Sequence, residues 1–154
     1  MAPQAPPKTG SGATTAPHLP LYVRPHANNQ ASSFAVTVHT PSGTEMPRIR
    51  HRVRAFLRLR RMPDEVLDDA LLVTSELLTN AFLHALPPAA LYIRCDTQSS
   101  VHIEVSDGGP KPTPRTPDSK EEHGRGLDIV AALCASHGTF THPEGTTRWA
   151  QIDH

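Results

Sequence analysis

The feature that most constrains the fold is a long amphipathic segment at residues 64–85, with Pro63 before it and Pro87 after it. Proline fits the first turn of a helix and cannot continue one, so the segment is predicted to form a single helix of about six turns. Its apolar positions recur at helical spacing and define the face that must be buried: Leu67, Ala70, Leu71, Leu78, Ala81 and Phe82.

A polar stripe runs along another side of this helix. Glu76, Asn80 and His84 are four residues apart, so each lies only about 40° further round the helix than the one before. Asparagine is a poor helix former and leucines border the stripe, so an ordinary solvent-facing side does not explain it. From these residues alone two interpretations stay open: the floor of a polar pocket, or a buried polar pair that satisfies itself.

Alternating and helical patterns predict the other elements. They are a strand at 33–39, an arginine-rich amphipathic helix at 48–60, a hairpin of strands 91–95 and 101–107, a helix from 127 that Gly138 closes, and a hairpin of strands 139–142 and 146–152. This order favours the α+β class, with one mixed, mostly antiparallel sheet covered on one face by three helices.

Glycines mark both ends of a long loop between the second hairpin strand and the third helix. Asp107 ends its strand beside Gly108 and Gly109, and the loop 110–123 contains no large apolar residue. A loop of this length inside a domain is usually functional or disordered. Gly124 and Gly126 open the next helix, whose N-terminus favours an anion such as phosphate, although capping alone also explains glycine there.

Composition excludes several classes of protein. The 154 residues suit one domain, and 15 basic and 15 acidic residues leave a formal net charge of zero, which gives no overall attraction to nucleic acid or membrane. Cys95 and Cys134 have neither disulfide-framework nor metal-ligand spacing, so reduced core cysteines in a cytoplasmic protein are expected. Residues 1–32 hold few large apolar side chains and are predicted to be a disordered tail.

Taken together, "SELLTNAFLHA" at 75–85, "SDGG" at 106–109, "GRGL" at 124–127 and "GTT" at 145–147 resemble the nucleotide-binding motifs of the GHKL ATPase superfamily. The short chain looks most like the anti-sigma-factor serine/threonine kinase branch and its small actinomycete regulatory relatives. The resemblance implies a Bergerat-type α/β sandwich over residues 33–154, which binds ATP and Mg²⁺.

The resemblance also implies roles for individual residues. Glu76 matches the general base, Asn80 the magnesium ligand, and Asp107 the carboxylate that accepts a hydrogen bond from the adenine amino group, with Gly109 beside it. Three further groups match the nucleotide-binding positions: Gly124, Arg125, Gly126 and Leu127 at the phosphates, Thr146 or Thr147 near the adenine edge, and the loop 110–123 as the ATP lid.

Three functions compete at this point. The main hypothesis is a protein kinase that phosphorylates an antagonist protein and also sequesters a sigma factor, with a homodimer left open. The second is a non-catalytic ATP-binding module that regulates by protein contact. Nucleic-acid binding through the arginine-rich helix ranks last, because the segment lacks interleaved aromatic residues and a recognisable reading motif.

Overall fold

The computed structural model describes residues 33–96, 99–112 and 125–154, except for the side chain of Arg125. The predicted tail at 1–32 and most of the predicted lid lie outside these residues. The elements in chain order are β1 (Ser33–Val38), α1 (Glu45–Leu59), α2 (Asp64–His84), β2 (Ala89–Cys95), β3 (Ser100–Asp107), α3 (Arg125–Leu133), β4 (Ser136–His142) and β5 (Gly145–Asp153).

The five strands form one sheet in the order β1-β2-β3-β5-β4. The α+β class and the single sheet packed against three helices are confirmed. The predicted mixed pairing is wrong in one respect, because all four neighbouring pairs are antiparallel. The crossover through α3 does make β3 and β4 parallel to each other, but β5 lies between them and is antiparallel to both.

The core lies between the helices and one face of the sheet. Alternate residues of β3, namely Val101, Ile103 and Val105, are fully buried, and their neighbours His102 and Glu104 on the opposite face are only half-buried. On α2 the predicted apolar face is buried, and Phe82 packs against it at the margin. The strand alternation seen in the sequence therefore reports which face of the sheet the helices cover.

The third helix ends earlier than the sequence predicts. It stops at Leu133, and Gly138 lies inside β4 instead of closing the helix. The amide of Ala135 already donates to the carbonyl of Gln151 on β5, which draws the chain into the sheet. A side chain at position 138 would collide with the indole of Trp149, so this glycine serves strand packing and not a helix cap.

The arginines of α1 lie mainly on its outer side, as the pattern predicts. Ile49, Val53 and Leu57 form the buried side of this helix. Among the arginines, Arg50 donates to Ser75 Oγ of α2 at 2.8 Å, and Arg52 lies over the ring of Phe34. Arg50 and Arg52 therefore stabilise the packing of α1 against α2 and β1.

Both cysteines are free. Cys95 is buried and Cys134 is half-buried, and burial raises the pKa of each thiol to about 11. Because the thiolate is the reactive form, these thiols are neutral and poor nucleophiles near neutral pH. Across the described residues, no helix is both long enough and apolar enough to cross a membrane.

Candidate nucleotide-binding site

The polar stripe of α2 is partly enclosed by the protein. Glu76 and Asn80 are half-buried, and His84, one turn further on, is exposed. Leu77 and Leu78 beside the stripe are buried. The structure therefore brings Glu76 and Asn80 to the margin of the core and leaves His84 outside it.

The first turn of α3 lies directly on Glu76. A Cβ atom added at Gly126 would overlap the Glu76 carboxylate at Oε2, so any side chain at this position would force Glu76 to move. Helix α3 begins at Arg125, which places its N-terminal turn beside an acidic group. That arrangement is favourable, since the N-terminal end of a helix carries a partial positive charge. The sequence indicated both residues, but their contact is a finding of the structure.

Asp107 lies at the end of β3 as a buried carboxylate with two hydrogen bonds. Its Oδ1 accepts from the amide of Gly109 at 2.9 Å, and its Oδ2 accepts from Nη1 of Arg148 at 2.8 Å. The Asp107 side chain is 1% exposed and that of Arg148 is 20% exposed. Sequence reasoning missed Arg148, although its spacing from Ala150 and Ile152 on β5 already indicated that it faces the core.

The two threonines of "GTT" point to opposite faces of the sheet. Thr146 is the cross-strand partner of Asp107 and shares the helix-covered face with it. Thr147 pairs with Ser106 on the other face, where its Oγ1 lies 2.6 Å from Ser106 Oγ. Of the two candidates, the structure therefore brings only Thr146 to the same side as Asp107.

Two glycines allow the backbone to close around Asp107. Gly109 has φ +87° and Gly145 has φ +149°, conformations that other residues rarely adopt. A Cβ atom added at Gly145 would overlap the carbonyl group of Asp107. The start of β5 can therefore pack on the end of β3 only because position 145 has no side chain.

Backbone and side-chain contacts join the end of α2 to the end of β3. The amide of Gly108 donates to the carbonyl of Leu86 at 2.7 Å, and the amide of Leu86 donates to the carbonyl of Gly109 at 2.8 Å. Lys111 Nζ donates to the carbonyls of Phe82 and Leu83 at 2.9 and 3.1 Å. A cation at this position satisfies the last carbonyls of the helix and complements its dipole. These contacts fix Asp107 relative to the stripe of α2.

The remaining predicted site residues are described only in part. Gly124 and residues 113–123 of the predicted lid lie outside the described part of the chain. Arg125 begins α3, and Leu127 lies half-buried in the same first turn. Among the residues to which the resemblance gives roles, the structure therefore describes those on α2, β3 and β5 and, of the two glycines expected at the phosphates, only Gly126.

A family model, the histidine kinase-like ATPase domain, matches residues 40–152, which is most of the chain. The chain belongs to the histidine kinase-like ATPase domain family. This membership confirms the GHKL resemblance and makes the polar site of α2, β3 and β5 part of an ATPase-type domain.

A solved structure supports the same fold. The RsbU and RsbW domains of Rv1364c from Mycobacterium tuberculosis align with a TM-score of 0.62 at 17% sequence identity. The alignment covers 79% of this chain and 32% of that one, so this chain corresponds to about a third of its neighbour's length. A search of the curated proteins found no match.

Proposed function

We propose that this chain is a serine/threonine protein kinase of the anti-sigma-factor type, which binds Mg-ATP and transfers the γ-phosphoryl group to a serine of an antagonist protein. In the same proposal it also binds a sigma factor, and it acts in the cytoplasm through an ATP-binding domain at residues 33–154. ATP binding follows from the family, and the kinase assignment rests on the site described above and on the resemblance to the anti-sigma-factor branch.

The observation that carries the proposal is the contact between Glu76 and Gly126. It brings a half-buried carboxylate against the first turn of α3, beside the glycine-flanked loop where phosphates are expected. A helix N-terminus attracts phosphate through its free amides and its dipole. A carboxylate at that place is positioned to take a proton from a hydroxyl group that attacks the terminal phosphate.

The opposite end of the site fits an adenine base. Asp107 is a buried acceptor whose carboxylate has four lone-pair sites, and the Gly109 amide and Arg148 use two of them. The remaining acceptor capacity suits the 6-amino group of adenine. We assign Thr146 to the adenine edge, since Thr147 is engaged with Ser106 on the other face of the sheet.

The donor set also fits magnesium. Mg²⁺ prefers hard oxygen ligands and often takes only one or two from the protein, with phosphate and water oxygens completing the octahedron. Asn80 offers a half-buried carboxamide oxygen one turn from Glu76. When bound, the ion would neutralise charge that develops on the phosphate oxygens.

In the proposed reaction the chain positions both reactants and moves one proton. The Glu76 carboxylate accepts the proton of the serine hydroxyl as the serine oxygen forms its bond to the γ-phosphorus. The bond from that phosphorus to the bridging oxygen breaks at the same time, and ADP leaves with the bonding electrons. Asp107 and Thr146 hold the adenine ring so that the γ-phosphate stays beside Glu76.

The test is transfer of labelled γ-phosphate from ATP to the partner protein, identified first as the labelled species in a cell lysate. Glu76→Gln keeps the size of the side chain and removes its charge, so Mg-ATP binding should be retained and transfer should fall by about 10²–10⁴-fold. Asn80→Ala should instead abolish magnesium-dependent ATP binding. Glu65→Gln is a matched control, since it makes the same change about 16 Å earlier on α2.

Two results would contradict the proposal. Unchanged transfer by Glu76→Gln, with the partner supplied, would remove Glu76 from the mechanism. Tight Mg-ATP binding by the wild type without any transfer to a captured partner would favour the non-catalytic regulatory module.

A further inference from the structure

The ion pair between Asp107 and Arg148 lies where the proposed function places the adenine base. Asp107 pairs across the strands with Thr146, and Arg148 pairs with Val105. These positions lie on the face of the sheet that carries the buried residues of β3 and β5. Asp107 and Arg148 therefore both face the helices. Removing the partner of a buried charge leaves that charge uncompensated. Arg148 is therefore expected to stay beside Asp107 when a nucleotide enters.

The pair presents an acceptor and a donor side by side. Asp107 has acceptor capacity left after its bonds to Gly109 and Arg148. A guanidinium group has five N–H donors, and within the described residues Arg148 uses one of them, on Asp107. A ligand that carries a donor next to an acceptor can satisfy both groups together.

The Watson–Crick edge of adenine has this pattern, with the 6-amino donor next to the N1 acceptor. We propose that Arg148 reads the base directly and donates a hydrogen bond to N1 while Asp107 accepts from the 6-amino group. This inference rests on the proposed ATP-binding function and adds a second selectivity residue to it.

The same geometry disfavours guanine. Guanine carries a hydrogen on N1 and an oxygen at position 6, so both polarities are reversed relative to adenine. The guanidinium would face an N–H group, and the buried carboxylate would face a carbonyl oxygen. Leaving charged groups without their partners is costly, so Arg148 should strengthen rejection of GTP beyond what Asp107 achieves alone.

The experiment compares ATP with 1-deaza-ATP, in which a C–H group replaces N1, by calorimetry on the full chain with magnesium. The wild type should bind 1-deaza-ATP about 10- to 100-fold more weakly than ATP, the loss expected for one charge-assisted hydrogen bond. Arg148→Met should bind the two nucleotides equally, and both more weakly than the wild type binds ATP. Arg148→Lys keeps a charged donor and should restore part of the difference.

Two controls separate base reading from a general effect. Arg94→Met removes another arginine that pairs with an aspartate, Asp96, at the far end of β2, and it should leave the ratio of the two affinities unchanged. Thermal melting of each variant reports whether it folds. The wild-type comparison of the two nucleotides needs no variant, so equal affinities would overturn the role of Arg148 even if Arg148→Met does not fold.

The outcomes distinguish this inference from the proposed function. Equal wild-type affinities for ATP and 1-deaza-ATP would overturn the role of Arg148 and leave ATP binding intact. Tighter ATP binding by Arg148→Met would also overturn it, because Arg148 would then compete with the base. A wild type that binds neither nucleotide would overturn the proposed function, and this inference with it.

Discussion

Strands β3 and β5 carry a polar cluster on each face, and the two clusters differ in how completely they are satisfied. On the helix-covered face, Asp107 and Arg148 form an ion pair that retains unused donors and acceptors. On the opposite face, called the open face below because none of the described helices packs on it, both ring nitrogens of His102 are engaged, with Gln151 Oε1 at 3.0 Å and Glu104 Oε1 at 2.7 Å.

The polar groups of the open-face cluster form hydrogen bonds with one another. The Gln151 amide donates to Ser100 at 2.6 Å and to Asp153 at 3.0 Å, and the ring of His102 stacks near Trp149. Polar groups that satisfy one another hold strands together and have little left for a ligand. Unused hydrogen-bonding capacity in a buried position, more than polarity itself, is the reason that we propose the Asp107 side as the binding side.

The largest expected effect is on Mg-ATP affinity, when one carboxylate in each cluster is replaced by the corresponding carboxamide. Asp107→Asn should weaken Mg-ATP binding by about 10- to 100-fold, because it removes the charge that pairs with Arg148 and replaces one acceptor by a donor. Glu104→Gln on the open face should leave the affinity unchanged. Calorimetry measures both. Equal losses in the two variants, or equal wild-type affinities for ATP and GTP, would contradict the distinction.

A second comparison uses two glycines, Gly126 beside Glu76 and Gly138 beside Trp149. In Gly126→Ala the new methyl group meets the flexible end of Glu76, so the fold should survive while phosphoryl transfer falls on the order of tenfold from misplacement of the carboxylate. In Gly138→Ala the methyl group meets the rigid indole of Trp149, so the cost should appear as ~1–3 kcal/mol of stability.

Denaturant unfolding and transfer assays on both glycine variants check this prediction. Loss of stability in Gly126→Ala with transfer retained, or the reverse pattern in Gly138→Ala, would show that the two contacts have been assigned the wrong roles.

The smallest expected effect is a pH dependence confined to the open face. The hydrogen bond to Glu104, supported by Gln151, raises the pKa of His102 against the opposing effect of burial and of Arg94. A raised pKa means that the folded state binds the proton more tightly than the unfolded state does. The stabilisation is therefore fully present below the ordinary histidine pKa of about 6.5 and is lost as pH rises through the folded-state pKa.

NMR titration of His102 should give a midpoint above the ordinary value, and Glu104→Gln should lower it. The free energy of unfolding should fall less between pH 6 and 8 in His102→Gln than in the wild type (a window taken from the ordinary pKa of about 6.5). Identical pH profiles for the two proteins would show that this cluster contributes no pH-dependent stability.

Local patterns were sufficient for most of the fold and part of the site. Period-2 alternation identified the inward faces of β1, β2 and β3 because one face of the sheet is buried, and the stripe on α2 identified Glu76 and Asn80. The pattern was insufficient at residues 134–138, where the helix of the prediction gives way to β4. Pairing with β5 and the ring of Trp149 over Gly138 decided that segment.

The sequence by itself determined the class of fold, the family motifs and the residue types available to the site, because these depend on short-range spacing. Only the tertiary structure decided which groups meet. The Glu76–Gly126 contact joins two helices 50 positions apart, and the Asp107–Arg148 pair depends on the register of two strands. Strand register and helix packing come from long-range burial, so residue spacing along the chain does not fix them.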